Sequence, residues 1–386
     1  MPISRFRIPF IKGEHPKATK NNTYAFPPST GDGVMTLAEI VGTKAAAEIE
    51  KTGQLQFHTV GDTGRGAHSA QQDVAEAMSR DINPNKHQTS PAFLMHLGDV
   101  IYGDGKEDLY DDEFYRPYVD YPNKVIAIPG NHDGEEGVTM DKTSLKAFRE
   151  NFCASPETEP PFAKTFNCEM VRQPGVYWML EAKLLNLIGL YSNAAEESGI
   201  LGDNKHLGMH QLDWLESTLR DVAQRRASGI RKALILAMHH PPYSRGLQKT
   251  GFGHGSSLDM LKQLDRTCTA AKIWPDAVLS GHAHNYQRYS RRVTVNEKVK
   301  DIPYIVIGTG GFGMQPAPWG IGHSDGDVTY LNGSPPKGLV GPHQPHSGYG
   351  YLIVTVRNKS LEFTFIIVQG NHRQPFETVT VPLNSL

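Results

Sequence analysis

Short runs of apolar residues recur along the chain from Leu55 onwards, and most of them are bounded by glycine, proline or polar residues. Apolar runs of this length, with turn-forming residues at their ends, are typical of buried β-strands. We therefore predict strands over residues 55–62, 92–99, 125–133, 184–192, 233–240, 276–284, 304–311, 349–356 and 361–368.

Segments with helical periodicity separate several of the predicted strands. Within residues 209–227, apolar side chains recur at intervals of three and four and form one stripe, made by Leu212, Leu215, Leu219 and Val222. Helices are also predicted over residues 36–50, 69–82 (with Ser69 as a candidate N-cap), 143–152 and 256–271. Alternating strands and helices predict an α/β fold in which helices cover a sheet. Little helix separates the last strands, so part of the sheet is expected to be antiparallel or mixed.

Two segments fall outside this alternation. Residues 1–52 are rich in Pro, Gly, Lys and Asn, and we interpret them as an N-terminal arm on the body of the protein, residues 53–386. Residues 310–348 are dense in Gly and Pro, and a loop of that length inside a domain is usually functional or disordered. We interpret this second segment as a lid or rim over a site, with a plain surface insertion as the alternative.

Composition and charge limit the kinds of molecule that the protein is expected to bind. The 386 residues carry a formal net charge of −2, which provides no overall attraction for nucleic acid or for an anionic membrane. No stretch approaches the roughly 18 consecutive apolar residues of a membrane span, and no secretory signal is visible. We expect a small-molecule partner, no nucleic-acid polymer and no membrane, and the oligomeric state is left open. The expected location is cytoplasmic if Met1 is the natural start, and periplasmic or secreted if the sequence has been trimmed.

The cysteines suggest neither a disulfide framework nor a thiolate zinc site. Cys153, Cys168 and Cys268 are odd in number, and none belongs to a C-x-x-C pair. Cys153 and Cys168 are close enough in sequence to pair across a loop, but we predict free, buried thiols.

Residues of metal-binding type follow the ends of five predicted strands. They are Asp62, Asp99, the run Asn131-His132-Asp133, the pair His239-His240, and the pair His282 and His284. A single Gly-Asp pair is most often turn chemistry, and a lone histidine is more often a core or surface group. In an α/β sheet, however, ligands bind beyond the carboxyl ends of the strands, so these residues are expected to converge on one edge.

The types of side chain in this set indicate which ions they would bind. Carboxylates, a carboxamide and imidazoles suit hard or borderline divalent and trivalent ions, and the set has no thiolate to favour soft ones. The candidates are too many for one tetrahedral ion, whereas two ions that share Asp99 as a bridge would use them all. Paired metals are the usual solution for in-line displacement at phosphorus.

Five motifs occur in order along the chain: GDTG, GDVIY, GNHD, AMHHP and GHAHNYQR. Together they resemble the signature of the calcineurin-like metallophosphoesterases, specifically of the purple acid phosphatase branch. The motifs span residues 61–288, and SGYGYLIVTV (347–356) resembles the closing strand of that family. The resemblance implies two mixed β-sheets packed as a sandwich flanked by helices, with a dimetal site at the strand carboxyl ends. It makes residues 53–386 a catalytic domain.

The resemblance also implies a role for individual residues. A ferric ion would be held by Asp62, Tyr102 and His284, and a divalent ion (Fe, Zn or Mn) by Asn131, His239 and His282, with Asp99 bridging the two ions. His239 is preferred to His240 because the family motif is His-x-Pro and Pro241 stands two residues after His239. His132 matches a histidine that hydrogen-bonds the substrate phosphate and helps to protonate the leaving group.

The chain departs from the family pattern at a second substrate histidine. That position holds Gln248, and the loop FGHGSS offers His254 as the candidate instead, with an exposed loop histidine as the alternative. Arg65, in GDTGRG, lies near the first ligand and could touch phosphate, but we interpret it as a solvated arginine.

The implied function is a dimetal phosphoesterase, and we favour a phosphomonoesterase that uses a metal-bound hydroxide as nucleophile. A phosphodiesterase acting on nucleotides or glycerophospho-alcohols is the alternative within this class. Outside it, the fold could serve as a non-catalytic binding module. Such a module is expected to lose ligands, whereas this chain has a candidate at every ligand position.

Overall fold

A computed structural model of the chain describes fourteen strands and six α-helices. The described residues are 29, 31–66, 69–83, 86, 89–102, 105–134, 145–154, 171–192, 199–203, 208–245, 254–295, 297–316 and 338–383.

Eight of the strands form one mixed sheet. They are β1 (Val34–Thr36), β5 (Trp178–Glu181), β6 (Leu185–Leu190), β7 (Ala233–Met238), β8 (Ala277–Ser280), β9 (Tyr286–Val295), β10 (Lys298–Ile307) and β11 (Leu339–His346). Their order across the sheet is β1-β5-β6-β7-β8-β10-β9-β11. Strands β6, β7, β8 and β10 are parallel to one another, and β9 and β11 add antiparallel pairing at one side.

The other six strands form a second mixed sheet. They are β2 (Gln54–Val60), β3 (Leu94–His96), β4 (Val125–Ala127), β12 (Gly350–Arg357), β13 (Ser360–Gln369) and β14 (His372–Pro382). Their order is β14-β13-β12-β2-β3-β4. Strands β2, β3 and β4 are parallel, whereas β12, β13 and β14 are antiparallel neighbours.

The two sheets pack against each other over a shared apolar core. Phe57 and Val354 of the six-stranded sheet are fully buried in it, together with Trp178, Ile235 and Leu279 of the eight-stranded sheet. Full burial of a large apolar side chain contributes about 1.5–3 kcal/mol, so this layer is a principal source of stability. The predicted sandwich of two mixed sheets is confirmed.

Six α-helices in the described part of the chain flank the two sheets. They are α1 (Leu37–Val41), α2 (Thr43–Thr52), α3 (Ala70–Ser79), α4 (Lys146–Phe152), α5 (His210–Ala227) and α6 (Leu258–Ala271). The apolar stripe predicted for α5 is buried against the eight-stranded sheet, beside α6. Helices α3 and α4 pack on the six-stranded sheet. In the described part of the chain, no helix combines the length and the apolar character of a membrane span.

Several elements differ from the sequence prediction. Strands β1, β5, β9, β11 and β14 were not predicted. Four of them contain no sustained apolar run, whereas β5 lies in the apolar run of residues 176–180 and was missed. For example, β14 is an edge strand with mostly exposed side chains, and β9 carries three arginines. The helix predicted over residues 36–50 is divided at Gly42, whose φ of 84° ends α1 before α2 begins.

Parts of the two unusual segments belong to regular structure. Strand β1 pairs in parallel with β5, and Leu37, Ile40 and Ile49 contribute to the shared core. The domain boundary at residue 52 stays a prediction. Residues 339–346 form strand β11, whereas residues 317–337 of the predicted lid or rim lie outside the described residues. Cys153 and Cys268 are free thiols, and Cys168 lies outside the described residues.

Candidate metal centre

The carboxyl ends of five parallel strands bring the predicted ligands together between the two sheets. Asp62, Asp99 and Asn131 follow β2, β3 and β4 of the six-stranded sheet, and His239, His282 and His284 follow β7 and β8 of the eight-stranded sheet. Each sheet therefore contributes three of these six side chains. The oxygen and nitrogen atoms that Asp62, Asp99 and His239 offer to an ion lie within 4.8 Å of one another, and the three residues are buried.

Left-handed backbone at the strand ends turns these side chains inwards. Asp62, Asp99 and His282 have φ values of 61°, 52° and 66°, a region that residues with a side chain rarely occupy. The predicted strands run up to Asp62 and Asp99 and past His282, whereas the observed strands end before all three positions. Such strain persists only where surrounding contacts impose it. Here the NH of His282 donates to both carboxylate oxygens of Asp62, at 3.1 and 2.8 Å.

Glycines allow the strand ends to approach closely. A Cβ at Gly98, whose φ is 93°, would lie 2.6 Å from the backbone nitrogen of Gly130. A Cβ at Gly130 would lie 2.1 Å from Oδ1 of Asp99. Both distances are shorter than van der Waals contact, so the glycines of the GDVIY and GNHD motifs are steric requirements of the centre.

The first group of donor atoms contains Tyr102, Asp62 and His284. The Tyr102 hydroxyl lies 3.1 Å from Nε2 of His284 and 3.4 Å from Oδ1 of Asp62. Nε2 of His284 lies 3.4 Å from the same carboxylate oxygen. The Nδ1–H of His284 donates to the carbonyl oxygen of Gly313 at 2.8 Å, which leaves Nε2 with its lone pair directed at the group.

The second group contains Asn131, His239 and His282. Oδ1 of Asn131 lies 3.1 Å from Nε2 of His239 and 3.0 Å from Nδ1 of His282. Oδ2 of Asp99 lies 3.4 Å from Nε2 of His239, so this carboxylate adjoins the second group. Its other oxygen, Oδ1, accepts the backbone NH of His132 at 2.9 Å.

The donor chemistry of the second group fits a bound cation. The Nδ1–H of His239 donates to the carbonyl oxygen of Leu97 at 2.8 Å, so Nε2 of the neutral ring is an acceptor. Nε2 faces the oxygens of Asn131 and Asp99, which are acceptors as well. Acceptors that face one another at this distance require a cation or a proton between them.

Protonation of His239 is the alternative to a cation. Burial lowers the pKa of His239, but the carboxylates of Asp99 and Asp62 outweigh it and raise the pKa to about 9. The pKa of Asp99 is held well below its ordinary value, because His239 and His132 outweigh the effect of burial. An ion in this group would take the place of the proton on His239 and bind the same lone pairs.

Comparison with known proteins identifies the family of this fold. The family described as calcineurin-like phosphoesterase matches residues 55–286, which is more than half of the chain and includes every predicted ligand. The chain belongs to the calcineurin-like phosphoesterase family. This family uses a dimetal centre, and the structure has a buried group of Asp62, Asp99 and His239 that could hold a metal ion.

Solved structures show the same fold at low sequence identity. One similar structure is GAP50, described as "the anchor in the inner membrane complex of Plasmodium", with 14% identity and a TM-score of 0.55. The alignment covers 86% of this chain and 89% of that one. Another is PhoD, with 13% identity, a TM-score of 0.52, and 86% and 70% coverage. The comparison with curated proteins gave no sequence match.

His132 and His254, the histidines predicted to act on substrate, lie beside the phosphoesterase donor groups. The His132 ring is half-buried, and its centroid lies 4.5 Å from that of Tyr102. The His254 ring lies 3.8 Å from His282 and 5.9 Å from His284, so this loop histidine is directed into the centre. Burial, and then the neighbouring His284, lower the pKa of His254 to about 3.

His240 packs against the histidines of the second donor group. Its Nδ1 lies 2.9 Å from the Ser192 hydroxyl, and its ring packs 4.3 Å from His282. This position is consistent with the choice of His239 as the ligand in the His-x-Pro motif.

Two residues of the phosphoesterase centre received no role from the sequence, although Asp133 was included among the residues of metal-binding type. Asp133 is buried and accepts the backbone NH groups of Val100 at 3.1 Å and Gly130 at 2.8 Å, which fixes the turns that follow β3 and β4. Burial and the nearby Asp99 raise the pKa of Asp133 to about 7. Phe312 stacks on Tyr102 with ring centroids 3.4 Å apart. The GNHD motif contains Asp133, but nothing in the sequence indicates the contact between Phe312 and Tyr102.

Proposed function

We propose that the protein is a purple acid phosphatase-like phosphomonoesterase whose centre holds Fe(III) and a divalent Fe, Zn or Mn ion. The observation that carries this proposal is the position of the Tyr102 hydroxyl, between Nε2 of His284 and Oδ1 of Asp62. A phenol among the donors is a poor ligand for most divalent ions, and it supports a ferric ion in the first group.

Electrostatics at Tyr102 strengthen this argument. Burial raises the pKa of the phenol well above its ordinary value, and the carboxylates of Asp62 and Asp99 raise it further. Loss of the phenolic proton therefore requires a strong positive charge close to the oxygen. A trivalent ion provides more of this charge than a divalent one.

The two ions would supply an activated water and neutralise charge on the phosphate oxygens. The remaining steps belong to the protein side chains. His132, half-buried beside the first group, is proposed to hydrogen-bond the phosphate and to protonate the leaving oxygen. His254, with its low pKa, is proposed to stay neutral at working pH and to donate a hydrogen bond to the phosphate.

The alternative to an enzyme is a non-catalytic binding module. The Plasmodium structure of similar fold is described as an anchor, so the fold is compatible with such a role. Two complete donor groups, with Asp99 next to them, favour an enzyme, because a pure binding module does not need them. We further propose a small phosphate ester as the partner.

The test combines metal analysis, a visible spectrum and assays with two substrates. The purified protein is expected to contain two metal ions per chain, one of them iron, to absorb visible light, and to hydrolyse an aryl phosphate monoester. The corresponding aryl phosphate diester is expected to be the poorer substrate. A preference for the diester would replace the monoesterase with a phosphodiesterase, and an inactive, fully metallated protein would support the binding module.

A further inference from the structure

We propose that Arg65 recognises an anionic group of the substrate other than the scissile phosphate. The preferred substrates are then phosphate esters that carry a second phosphate or a carboxylate a few bonds away. This inference rests on the proposed function, since it names the substrate class of the same site. It replaces the interpretation of Arg65 as a purely solvated arginine.

The backbone of Arg65 is held in place close to the donor groups. Arg65 stands three residues after Asp62, and the NH groups of Arg65 and Gly66 both donate to Oε1 of Gln71, at 2.8 and 2.9 Å. The Gln71 side chain is fully buried and also donates to the carbonyl oxygen of Glu113, so it cannot move easily. The loop therefore presents Arg65 from a defined position.

An aromatic ring connects the Arg65 side chain to the centre. The guanidinium carbon lies 5.9 Å from the centroid of the Phe312 ring, over which it is placed. The Phe312 ring stacks on Tyr102 at 3.4 Å and with an interplanar angle of 3°. The Arg65 guanidinium contacts the Phe312 ring, and the Phe312 ring contacts the Tyr102 ring. The positive charge of Arg65 therefore lies at the rim of the site.

The backbone of the Phe312 segment is bound to the ligands themselves. The NH of Phe312 donates to the carbonyl oxygen of Asp62 at 3.0 Å, and the carbonyl of Gly313 accepts Nδ1–H of His284. A Cβ at Gly313 would lie only 3.7 Å from Nη1 of Arg65. The guanidinium is therefore adjacent to a segment whose position is fixed by two proposed metal ligands.

Among the residues that the structure describes, no other side chain neutralises the charge of Arg65. Arginines elsewhere form ion pairs, such as Arg288 with Glu377 and Arg291 with Asp265. Arg65 is exposed, and within the described part of the chain its guanidinium forms no ion pair or side-chain hydrogen bond. Its planar array of donors remains available and matches the geometry of a phosphate or a carboxylate.

Three phosphonates test this inference by binding alone. The probes share a phosphonate on a three-carbon chain and differ at the far end of that chain. Propylphosphonate has no second anionic group there, 4-phosphonobutanoate has a carboxylate, and propane-1,3-bisphosphonate has a second phosphonate. Calorimetric titration of the metal-loaded protein is expected to show at least one doubly anionic probe binding about tenfold or more tightly than propylphosphonate. Whichever doubly anionic probe binds more tightly indicates whether the second anionic group of the substrate is a phosphate or a carboxylate.

Variants assign the preference to Arg65. Arg65→Ala is expected to remove the difference between the probes, and Arg65→Lys to retain part of it, with metal content and visible spectrum unchanged. Arg266→Ala is the matched control, because Arg266 is another exposed arginine, on α6. The inference is wrong if wild-type protein binds all three probes equally, or if Arg65→Ala keeps the preference.

Turnover separates this inference from the proposed function. The substrates are propyl phosphate and propane-1,3-diyl bisphosphate, the esters that correspond to two of the probes. If neither is hydrolysed but the binding preference depends on Arg65, the phosphatase proposal fails and the recognition by Arg65 stands. If both are hydrolysed and Arg65→Ala leaves the ratio of their kcat/KM values unchanged, the phosphatase proposal stands and the recognition by Arg65 fails.

Discussion

The hydroxyl of Tyr102 lies 3.1 Å from Nε2 of His284, a residue 182 positions later in the chain. Tyr102 follows the six-stranded sheet and His284 follows the eight-stranded sheet, so this contact crosses the boundary between the two layers. The ring of Tyr102 is held between Phe312 and His132, and its freedom to turn away from His284 is small.

The contact between Tyr102 and His284 predicts a colour. With iron bound, phenolate-to-ferric charge transfer should make the protein pink to purple, and Tyr102→Phe should bleach it. Iron content and the thermal unfolding midpoint are expected to change little, because the substitution removes one oxygen only. Visible spectroscopy with metal analysis checks this.

Tyr115→Phe is the control, since Tyr115 is also buried but donates to Asn151 outside the centre. Persistence of the band in Tyr102→Phe would exclude a phenolate ligand.

Asp99→Asn is expected to reduce hydrolysis of an aryl phosphate by a factor on the order of 10³ or more. Asp99 lies against the second donor group, and its loss removes the negative charge that would separate two cations. Metal content should fall in parallel, and chelation of the wild-type protein should have the same effect. Asp259→Asn, at an exposed position on α6, is the control and should keep full activity. Full activity in a verified metal-free sample would contradict this prediction.

His132→Ala is expected to keep both metals and to lower kcat by about 10²–10⁴. The backbone NH of His132 contacts Asp99, whereas its side chain packs beside Tyr102, so the substitution removes the proposed proton donor only. His254→Ala is expected to lower kcat less, because a neutral imidazole contributes a hydrogen bond and no proton. Steady-state kinetics and metal analysis of both variants test this. A loss of metal in His132→Ala would show that His132 is a ligand.

Asp276→Asn is expected to lower the free energy of unfolding by about 3–5 kcal/mol at pH 7. The Asp276 carboxylate is 1% exposed and accepts from the side chains of Arg226, Arg231 and Lys300, at 2.6 to 3.0 Å. The substitution would leave these cations, which are themselves largely buried, without a counter-charge. Asp301→Asn, which breaks an exposed pair with Arg292, should cost less than about 1 kcal/mol.

The pH dependence of this effect has a definite sign. The three cations outweigh burial and hold the pKa of Asp276 well below its ordinary value. A carboxyl whose pKa is lower in the folded state stabilises the protein above its unfolded-state pKa of about 3.9. Urea unfolding should therefore show the same deficit for Asp276→Asn at pH 7 and pH 5, and a smaller one below about pH 4. A deficit that grows towards low pH would contradict the assignment.

The strands that position the centre were predictable, because each is an apolar run that ends in a residue with metal-binding chemistry. Asp62 and Asp99 illustrate this, since the turn that follows each strand is short and local. Residue types alone did not indicate where a side chain beyond such a turn would point, and only the resemblance to the family grouped Tyr102 with Asp62 and His284. Tyr102 reaches His284 because Asp99 adopts a φ of 52°, which no pattern of residue types determines.

Contacts that depend on packing between distant segments were not predictable. Arg65 and Phe312 are far apart in sequence, and although Arg65 directly follows the GDTG motif, no motif links it to Phe312. Their proximity follows from hydrogen bonds between the backbone of residues 310–315 and the strand ends, such as that of Phe312 to Asp62. Likewise, Asp276 precedes β8 as an ordinary polar residue, and its three cations come from two other parts of the chain: Arg226 and Arg231 at and after the end of α5, and Lys300 in β10.

The division of the donor atoms between the two sheets has a consequence for folding. Ions held by Asn131 of one sheet and by His239 and His282 of the other would add a cross-link between two layers that the apolar core and polar contacts such as the Arg288–Glu377 ion pair already join. An unfolded chain does not preserve this geometry, so the ions bind the folded state only. At a free metal concentration one hundred times the dissociation constant, this binding raises the free energy of unfolding by about 2.7 kcal/mol. Metal-depleted protein should accordingly open at the seam between the sheets first, and exchange amide hydrogens there faster than in the strands on either side.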